Sequence, residues 1–282
     1  FDAENDGDFD YLGLGGFDLS AFIDETNPGA LLINDGHAHF SALLGALEAD
    51  HTRRNDHGLA IGDLDGNGFE DIVSVSIINR PVSFPFIPHS FGYGGYLDPF
   101  AGWAPVWEPT GEGDLWRWNQ VPMENGTLAI EMNQGDPNNR WIDVDLVGTV
   151  GLTDHGAVNR DGIGAVVRFT PEGGQTASQP ILGGSSIASQ DSLTAHFGLG
   201  RARKGTLEIV WPGGVKNRLY EVRAGERLRV PEIPCDYSAP QNAGRYGACV
   251  RGALKDLLRV GAISRAERDR LLASALRAFE ER

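Results

Sequence analysis

A short acidic loop has the residue types and the spacing of a metal site. Residues 63–71 read DLDGNGFED, and the side-chain oxygens at relative positions 1, 3, 5 and 9 belong to Asp63, Asp65, Asn67 and Asp71. Glycines between them allow the tight turn that lets these oxygens converge, and Phe69 at position 7 would add its backbone carbonyl. The loop offers no thiolate or imidazole, so calcium is favoured over zinc. We predict a Ca²⁺ site here; an Asp/Gly-rich turn without metal is the alternative.

Another acidic stretch, at the start of the chain, has the same spacing of candidate ligands. Residues 2–10 read DAENDGDFD, and their candidate ligands are Asp2, Glu4, Asp6, Asp8 and Asp10. The two loops lie about 61 residues apart, counted from Asp2 to Asp63. We therefore predict that residues 2–10 also form a Ca²⁺ site, again with a metal-free turn as the alternative.

The segments around the loop at 63–71 favour strands. Residues 59–62 (LAIG) lead into it and residues 72–77 (IVSVSI) leave it, and both are typical of β structure. An EF-hand would need flanking helices and a glutamate at position 12, where this chain has Ser74. The loop is therefore predicted to join two strands.

An apolar strand that ends in asparagine occurs twice, at residues 29–34 (GALLIN) and 126–133 (GTLAIEMN). Repeats at such spacing indicate stacked or radial β units. The acidic loops and these strands resemble FG-GAP/VCBS-type β-propeller repeats. Two loops account for about two blades, whereas a closed propeller needs at least four. We expect preceding residues, or another chain as partner, to supply or cover the remaining blades.

Short β runs separated by glycine and proline turns follow between residues 138 and 233. They predict an antiparallel, sandwich-like domain. Its segments are NRWIDVDL at 139–146, NRDGIGAVVRF at 159–169, GGSSIASQ at 183–190, HFGLG at 196–200 and LEIVWPGG at 207–214. In this order they resemble the ASPIC/UnbV module that ends VCBS propellers in cartilage acidic protein-like secreted proteins. The resemblance implies calcium binding, export and an adhesion or interaction role, without an established catalytic activity.

Aromatic residues are concentrated in an insert at residues 84–118. Prolines and glycines predict no regular strand between Phe91 and Trp107. The rings could form a local core, a protein interface or a platform for sugar rings. The candidate partner- or glycan-binding residues are Tyr93, Tyr96, Trp103, Trp107, Trp116 and Trp118.

The last 49 residues, 234–282, contain both cysteines and two helical patterns. Cys235 and Cys249 close a short loop and are predicted to form a disulfide, because such a loop in an export-like protein favours oxidation; free thiols are the alternative. An apolar face ending at Gly261, followed by the S-x-x-E capping box of Ser264 and Glu267, predicts a helical hairpin packed on the sandwich or on a partner.

Composition limits the classes of function. The formal net charge is −15, and residues 1–80 hold 16 Asp/Glu against 3 Lys/Arg, which disfavours nucleic acid. No apolar run approaches the roughly 18 residues of a membrane span. The chain opens on Phe1 without a signal peptide pattern, so we expect its numbering to begin inside a mature or trimmed product.

The prediction is an all-β protein in three parts: partial propeller blades at 1–137, the ASPIC/UnbV-like domain at 138–233, and the disulfide-linked loop with its helical hairpin at 234–282. We expect an exported, extracellular or periplasmic, calcium-binding interaction or adhesion protein that is a non-catalytic part of a larger assembly. A glycan-binding lectin is the alternative. A carbohydrate-active hydrolase is less favoured, because the acids stand at metal-ligand spacing and leave no free acid/base pair.

Overall fold

The computed structural model describes residues 1–14, 29–43, 45–49, 51, 53–79, 103–110, 112, 116–122, 124–186 and 189–282, with the backbone alone for 103–109 and 116–121. Sixteen strands and two helices lie within these ranges. The predicted all-β class is confirmed, in that strands make up all the described elements except two helices. The described strands form five separate sheets and no closed propeller. Tyr93 and Tyr96 lie outside the described residues.

The N-terminal part contains two small antiparallel sheets. The first has the order β1-β2-β3, with β1 at Tyr11–Gly13, β2 at Ala30–Asn34 and β3 at Phe40–Leu43. The second has β4 at Arg54–Gly62 paired with β5 at Asp71–Asn79. The acidic loop at 63–71 joins β4 to β5, so the predicted strand–loop–strand arrangement is confirmed.

The insert contains a two-stranded hairpin. Its strands are β6 at Trp103–Pro109 and β7 at Trp116–Pro122. The prediction that no regular strand forms before Trp107 is therefore wrong for the end of that stretch. A strand of a two-stranded ribbon always has a free edge, and prolines such as Pro105 are tolerated there because no ladder hydrogen bond is lost.

After the insert, the chain returns to the second sheet through β8 at Glu124–Asn125 and β9 at Leu128–Glu131, which both pair antiparallel with β5. This return brings Asn133, just after β9, to the end of the acidic loop.

Two sheets face each other in the following part. One has the order β13-β10-β16, with β10 at Arg140–Val147, β13 at Ala195–Gly200 and β16 at Arg227–Pro231. The other has the order β12-β11-β14-β15, with β11 at Val166–Pro171, β12 at Ala177–Pro180, β14 at Lys204–Val210 and β15 at Lys216–Arg223. The prediction of a purely antiparallel domain is wrong at one pair, because β16 runs parallel to β10.

The hydrophobic core lies between these sheets. Phe169 of one sheet and Phe197 of the other are about 1% exposed and have ring centroids 5.9 Å apart. Trp211 is equally buried, and its indole N–H donates to Asn217 Oδ1 at 2.7 Å. Apolar residues alternate along β14, with Leu207 and Ile209 fully buried, as expected for a strand with one face in a core.

The helical hairpin closes the same core. Helix α1 spans Ala243–Arg259 and α2 spans Arg265–Glu280, and the predicted capping box is present at Ser264. Their apolar faces join the core cluster, with Leu254 and Leu257 at 1% exposure. The predicted packing on the sandwich is confirmed, as is the Cys235–Cys249 disulfide. No described helix combines the length and the apolar character that a membrane crossing requires.

Candidate metal centre

The second acidic loop, residues 63–71, is shaped by hydrogen bonds from its own backbone to its first carboxylate. Asp63 Oδ1 accepts from the N–H groups of Gly66 at 2.8 Å and Asn67 at 3.2 Å, and Oδ2 accepts from Gly68 N–H at 2.9 Å. Gly66 and Gly68 adopt φ values of +77° and +85°, which favour glycine because it has no Cβ. The chain thereby folds around the Asp63 carboxylate.

Asp71, at the start of β5, closes the loop from the other side. It is fully buried, and its Oδ2 accepts from Leu64 N–H at 2.8 Å. Its Oδ1 accepts from the N–H of Asn133 at 2.8 Å. One carboxylate thus fixes the loop to its own strand and to the end of β9.

Three acidic ligand atoms meet in this loop. One oxygen each of Asp63, Asp65 and Asp71 lies within 4.8 Å of the others, and in the described part of the chain no other trio of acidic, histidine or cysteine side chains does so. Asn67 lies beside them, with Oδ1 accepting from Phe69 N–H at 2.8 Å. An all-oxygen donor set of this kind fits a hard cation such as Ca²⁺.

The first acidic loop, residues 2–10, repeats this hydrogen bonding with an offset of 61 residues. Asp2 Oδ1 accepts from Asp6 N–H at 3.1 Å and Oδ2 from Gly7 N–H at 3.0 Å. Positive φ values recur at the equivalent positions, +59° at Asn5 and +106° at Gly7. The backbone therefore folds around Asp2 as it does around Asp63.

The carboxylate that closes the second loop, that of Asp71, also has a counterpart in the first loop, that of Asp10. Asp10 Oδ2 accepts from Ala3 N–H at 2.8 Å, and Oδ1 accepts from the N–H of Asn34, at the end of β2, at 2.9 Å. These are the counterparts of the two bonds of Asp71. The sequence marks Asn34 and Asn133 only as repeated strand ends, and the structure shows that each joins a strand end to an acidic loop.

Charge is more concentrated in the first loop than in the second. Burial, with repulsion from Asp6, raises the pKa of Asp2 to about 7. Burial, with the charges of Asp10 and Asp6, raises the pKa of Glu4 to about 8, and burial raises that of Asp8 to about 6. Glu4 Oε2 and Asp8 Oδ1 are buried without a hydrogen-bond partner.

These unpaired acceptors fit a bound cation, because a positive charge offsets both the desolvation and the repulsion. The acids of the first loop are nevertheless more widely spread, since three of their ligand atoms do not come within 4.8 Å of one another.

A buried polar junction connects the first loop to β13. His196 is 3% exposed; its Nδ1 lies 2.7 Å from Asp143 Oδ1 and its Nε2 lies 2.6 Å from Asn5 Oδ1. Burial opposes protonation, but the hydrogen bond to Asp143 and the charge of Glu70 raise the pKa of His196 overall. Nothing in the sequence around Asn5 or His196 indicates that they meet, because 191 positions separate them.

The tryptophans of the insert occupy the β6–β7 hairpin. The register pairs Trp107 with Trp118, Trp116 with Pro109 and Trp103 with Pro122. Because alternate positions of a strand share a face and paired positions lie side by side, all four tryptophan positions fall on one face of the ribbon.

An open cavity of about 510 Å³ lies between the two N-terminal sheets. Apolar residues such as Leu31, Leu43 and Ile72 line it together with the acidic Glu48 and Glu131. Its volume is in the range of ligand sites.

Comparison with known families matches residues 155–235 to the family described as ASPIC and UnbV. The chain thus contains an ASPIC/UnbV domain, as its sequence predicts, and the domain includes β11–β16. No family match confirms the FG-GAP/VCBS resemblance of the preceding residues. No curated protein matches the chain.

Proposed function

We propose that this chain is an exported, calcium-binding interaction protein, and a non-catalytic part of a larger extracytoplasmic assembly. The observation that carries the proposal is the trio Asp63, Asp65 and Asp71 within 4.8 Å, in a loop whose hydrogen bonding is repeated 61 residues earlier. When bound, Ca²⁺ would supply a positive charge that holds the loop closed between two strands. The disulfide supports export, since such bonds persist in oxidising compartments.

The repeated loops also support partial FG-GAP/VCBS propeller blades at residues 1–137. The candidate ligands are the side chains of Asp63, Asp65, Asn67 and Asp71, with the carbonyl of Phe69. In the first loop they are Asp2, Glu4, Asp6, Asp8 and Asp10. The exposed apolar side chains on β9, Leu128 at 61% and Ile130 at 49% exposure, are the kind of surface that a neighbouring blade or a partner protein would cover.

Calcium binding is tested by isothermal titration calorimetry and by thermal unfolding with calcium or with excess chelator. A cation that binds only the folded state at 100 times its Kd stabilises by about 2.7 kcal/mol. For a chain of this size that corresponds to roughly 5–11 °C in Tm, at about 2–4 °C per kcal/mol. Asp65→Asn, in an exposed side chain of the loop, should reduce the shift. Superimposable melting curves with calcium and chelator would contradict the proposal.

Assembly is tested by native mass spectrometry of material purified from its source. A complex heavier than the 30.4 kDa chain is expected if a partner completes or covers the blades. A stable lone monomer would refute that part of the proposal.

Glycan binding is the second candidate, favoured by the four tryptophan positions on one face of the β6–β7 hairpin. Tryptophan rings stack on the apolar faces of sugars. A glycan array should then show binding by the wild type and its loss in the Trp103→Ala/Trp107→Ala variant. Equal signals from both proteins, or none from either, would reject the lectin hypothesis.

A further inference from the structure

The first acidic loop is a candidate cation site and also one of the contacts between the N-terminal part and the ASPIC/UnbV domain. Strand β4 makes another contact, where the N–H groups of Leu59 and Ile61 donate to Ser189 Oγ and Asp191 Oδ1. Its inner residues are buried in that contact: Asn5 is fully buried and Asp2 is 1% exposed. The loop therefore has carboxylates around its centre and backbone carbonyls that face the rest of the protein.

Hydrogen bonds from three directions reach the backbone carbonyls of residues 3–5. The Gly200 N–H, at the end of β13, donates to Asn5 O at 2.8 Å. Two asparagine side chains bind the preceding carbonyls, Asn133 to Ala3 O at 2.7 Å and Asn139 to Glu4 O at 2.8 Å. These bonds form only if the loop holds all three carbonyls outward at once.

The Asn5 side chain extends the same contact. Its Nδ2 donates to Gly68 O at 2.6 Å, so its Oδ1 is left to accept from His196 Nε2 at 2.6 Å. Asn5 thus links the first loop to the second loop and to β13, and its positive φ of +59° depends on the turn that surrounds Asp2.

Strand β13 leaves room for the loop at a glycine. A Cβ on Gly198 would lie 2.0 Å from Asp2 Oδ2 and 2.5 Å from Asn5 Cα, distances that no side chain can adopt. The strand therefore fits closely against the loop in its closed form, and an open loop would clash or lose its hydrogen bonds.

Two oxygens of the loop's carboxylates, Glu4 Oε2 and Asp8 Oδ1, are buried acceptors without partners. Both side chains are half-buried, and without a cation these two oxygens gain partners if the loop opens. Opening would also move the carbonyls of residues 3–5 away from Asn133, Asn139 and Gly200.

We propose that cation binding to the first acidic loop controls the docking of the N-terminal sheets onto β13, so that calcium couples the repeats to the ASPIC/UnbV domain. This inference rests on the calcium binding proposed above. We expect a smaller effect from the second loop, because its carboxylates accept from Leu64 and Asn133 and its link to β13 is indirect, through Gly68 O and Asn5.

Hydrogen exchange measured by mass spectrometry on the full chain tests this coupling. Peptides that cover β13, Ala195–Gly200, should exchange faster in chelator than in saturating calcium, by about 5–150-fold, the usual range of coupling between two sites. Peptides from β14, Lys204–Val210, which pairs only within the sandwich, should exchange equally in both.

A matched pair of variants assigns the effect to one loop. Glu4→Gln and Asp65→Asn each remove one charge at the third position of their loops and leave the backbone intact. In saturating calcium, Glu4→Gln should accelerate exchange at β13 as chelator does in the wild type. Asp65→Asn should accelerate exchange at β13 less. Equal acceleration in the two variants would overturn the assignment to the first loop.

Calorimetry on the same samples separates this inference from the proposed function. Calcium bound by the wild type, with β13 exchanging identically in calcium and chelator, would overturn the coupling and leave calcium binding intact. No heat of calcium binding in the wild type would overturn both.

Discussion

The fit between the second acidic loop and strand β10 depends on Gly68. An added Cβ there would lie 1.8 Å from Trp141 Nε1 and 1.9 Å from Trp141 Cε2. Two residues earlier, Gly66 has nearly the same φ, but a Cβ there would meet nothing within 4 Å. The two glycines therefore differ in surroundings and not in backbone conformation.

The expected cost of substitution follows from that difference. An alanine at positive φ costs about 1–2 kcal/mol at either position. Gly68→Ala also forces the Trp141 indole to move, and overpacking of this kind costs a further 1–3 kcal/mol or so. At about 2–4 °C per kcal/mol, Gly68→Ala should melt roughly 2–12 °C below Gly66→Ala.

Differential scanning calorimetry in saturating calcium measures this gap, with calcium occupancy checked by titration. Adding Trp141→Ala to each glycine variant completes the comparison, because removal of the indole should relieve Gly68→Ala and not Gly66→Ala. Equal melting temperatures for the two single variants would refute the contact between the second loop and β10.

Three other predictions concern stability elsewhere in the chain. Cys249→Ser removes a crosslink with a sequence separation of 14 and should lower the free energy of unfolding by about 3 kcal/mol; urea titration should give the same loss for the reduced wild type. Hydrogen bonds to Asp56 at 2.8 Å and Glu131 at 3.4 Å raise the pKa of His51 above 6.5. The stabilisation of the folded state by protonated His51 is complete below pH 6.5 and is lost as pH rises through the folded pKa. The free energy of unfolding of the wild type should therefore exceed that of His51→Gln by less at pH 8.5 than at pH 5.5. Parallel plots of unfolding free energy against pH for the two proteins would contradict this prediction. Ser264→Ala removes the N-cap of α2 and should cost about 1 kcal/mol, seen as a lower Tm.

Features written in adjacent residues could be predicted from sequence. The acidic loops depend on carboxylates and glycines within nine positions, the capping box depends on two residues three apart, and the helix faces depend on a period of 3.6. The disulfide follows from two cysteines and a short loop. In each case the partners are close along the chain, so the local pattern contains most of the information.

Features that depend on distant partners required the tertiary structure. Sequence alone did not place Asn5 against His196, Gly68 against Trp141, or the amides of Asn34 and Asn133 on the closing carboxylates of the loops. Nor did it show β16 running parallel to β10, because a strand's residue pattern is the same for either direction of pairing.

The sequence by itself therefore determined the β character, the two candidate cation loops, the ASPIC/UnbV domain and the C-terminal hairpin. Only the tertiary structure decided that Asp2 and Asn5 of the first loop are buried against β13 and that the carbonyls of residues 3–5 accept hydrogen bonds from Asn133, Asn139 and Gly200. The physical reason is that a turn's own residues fix its shape, whereas the surface it packs against is chosen by the whole fold.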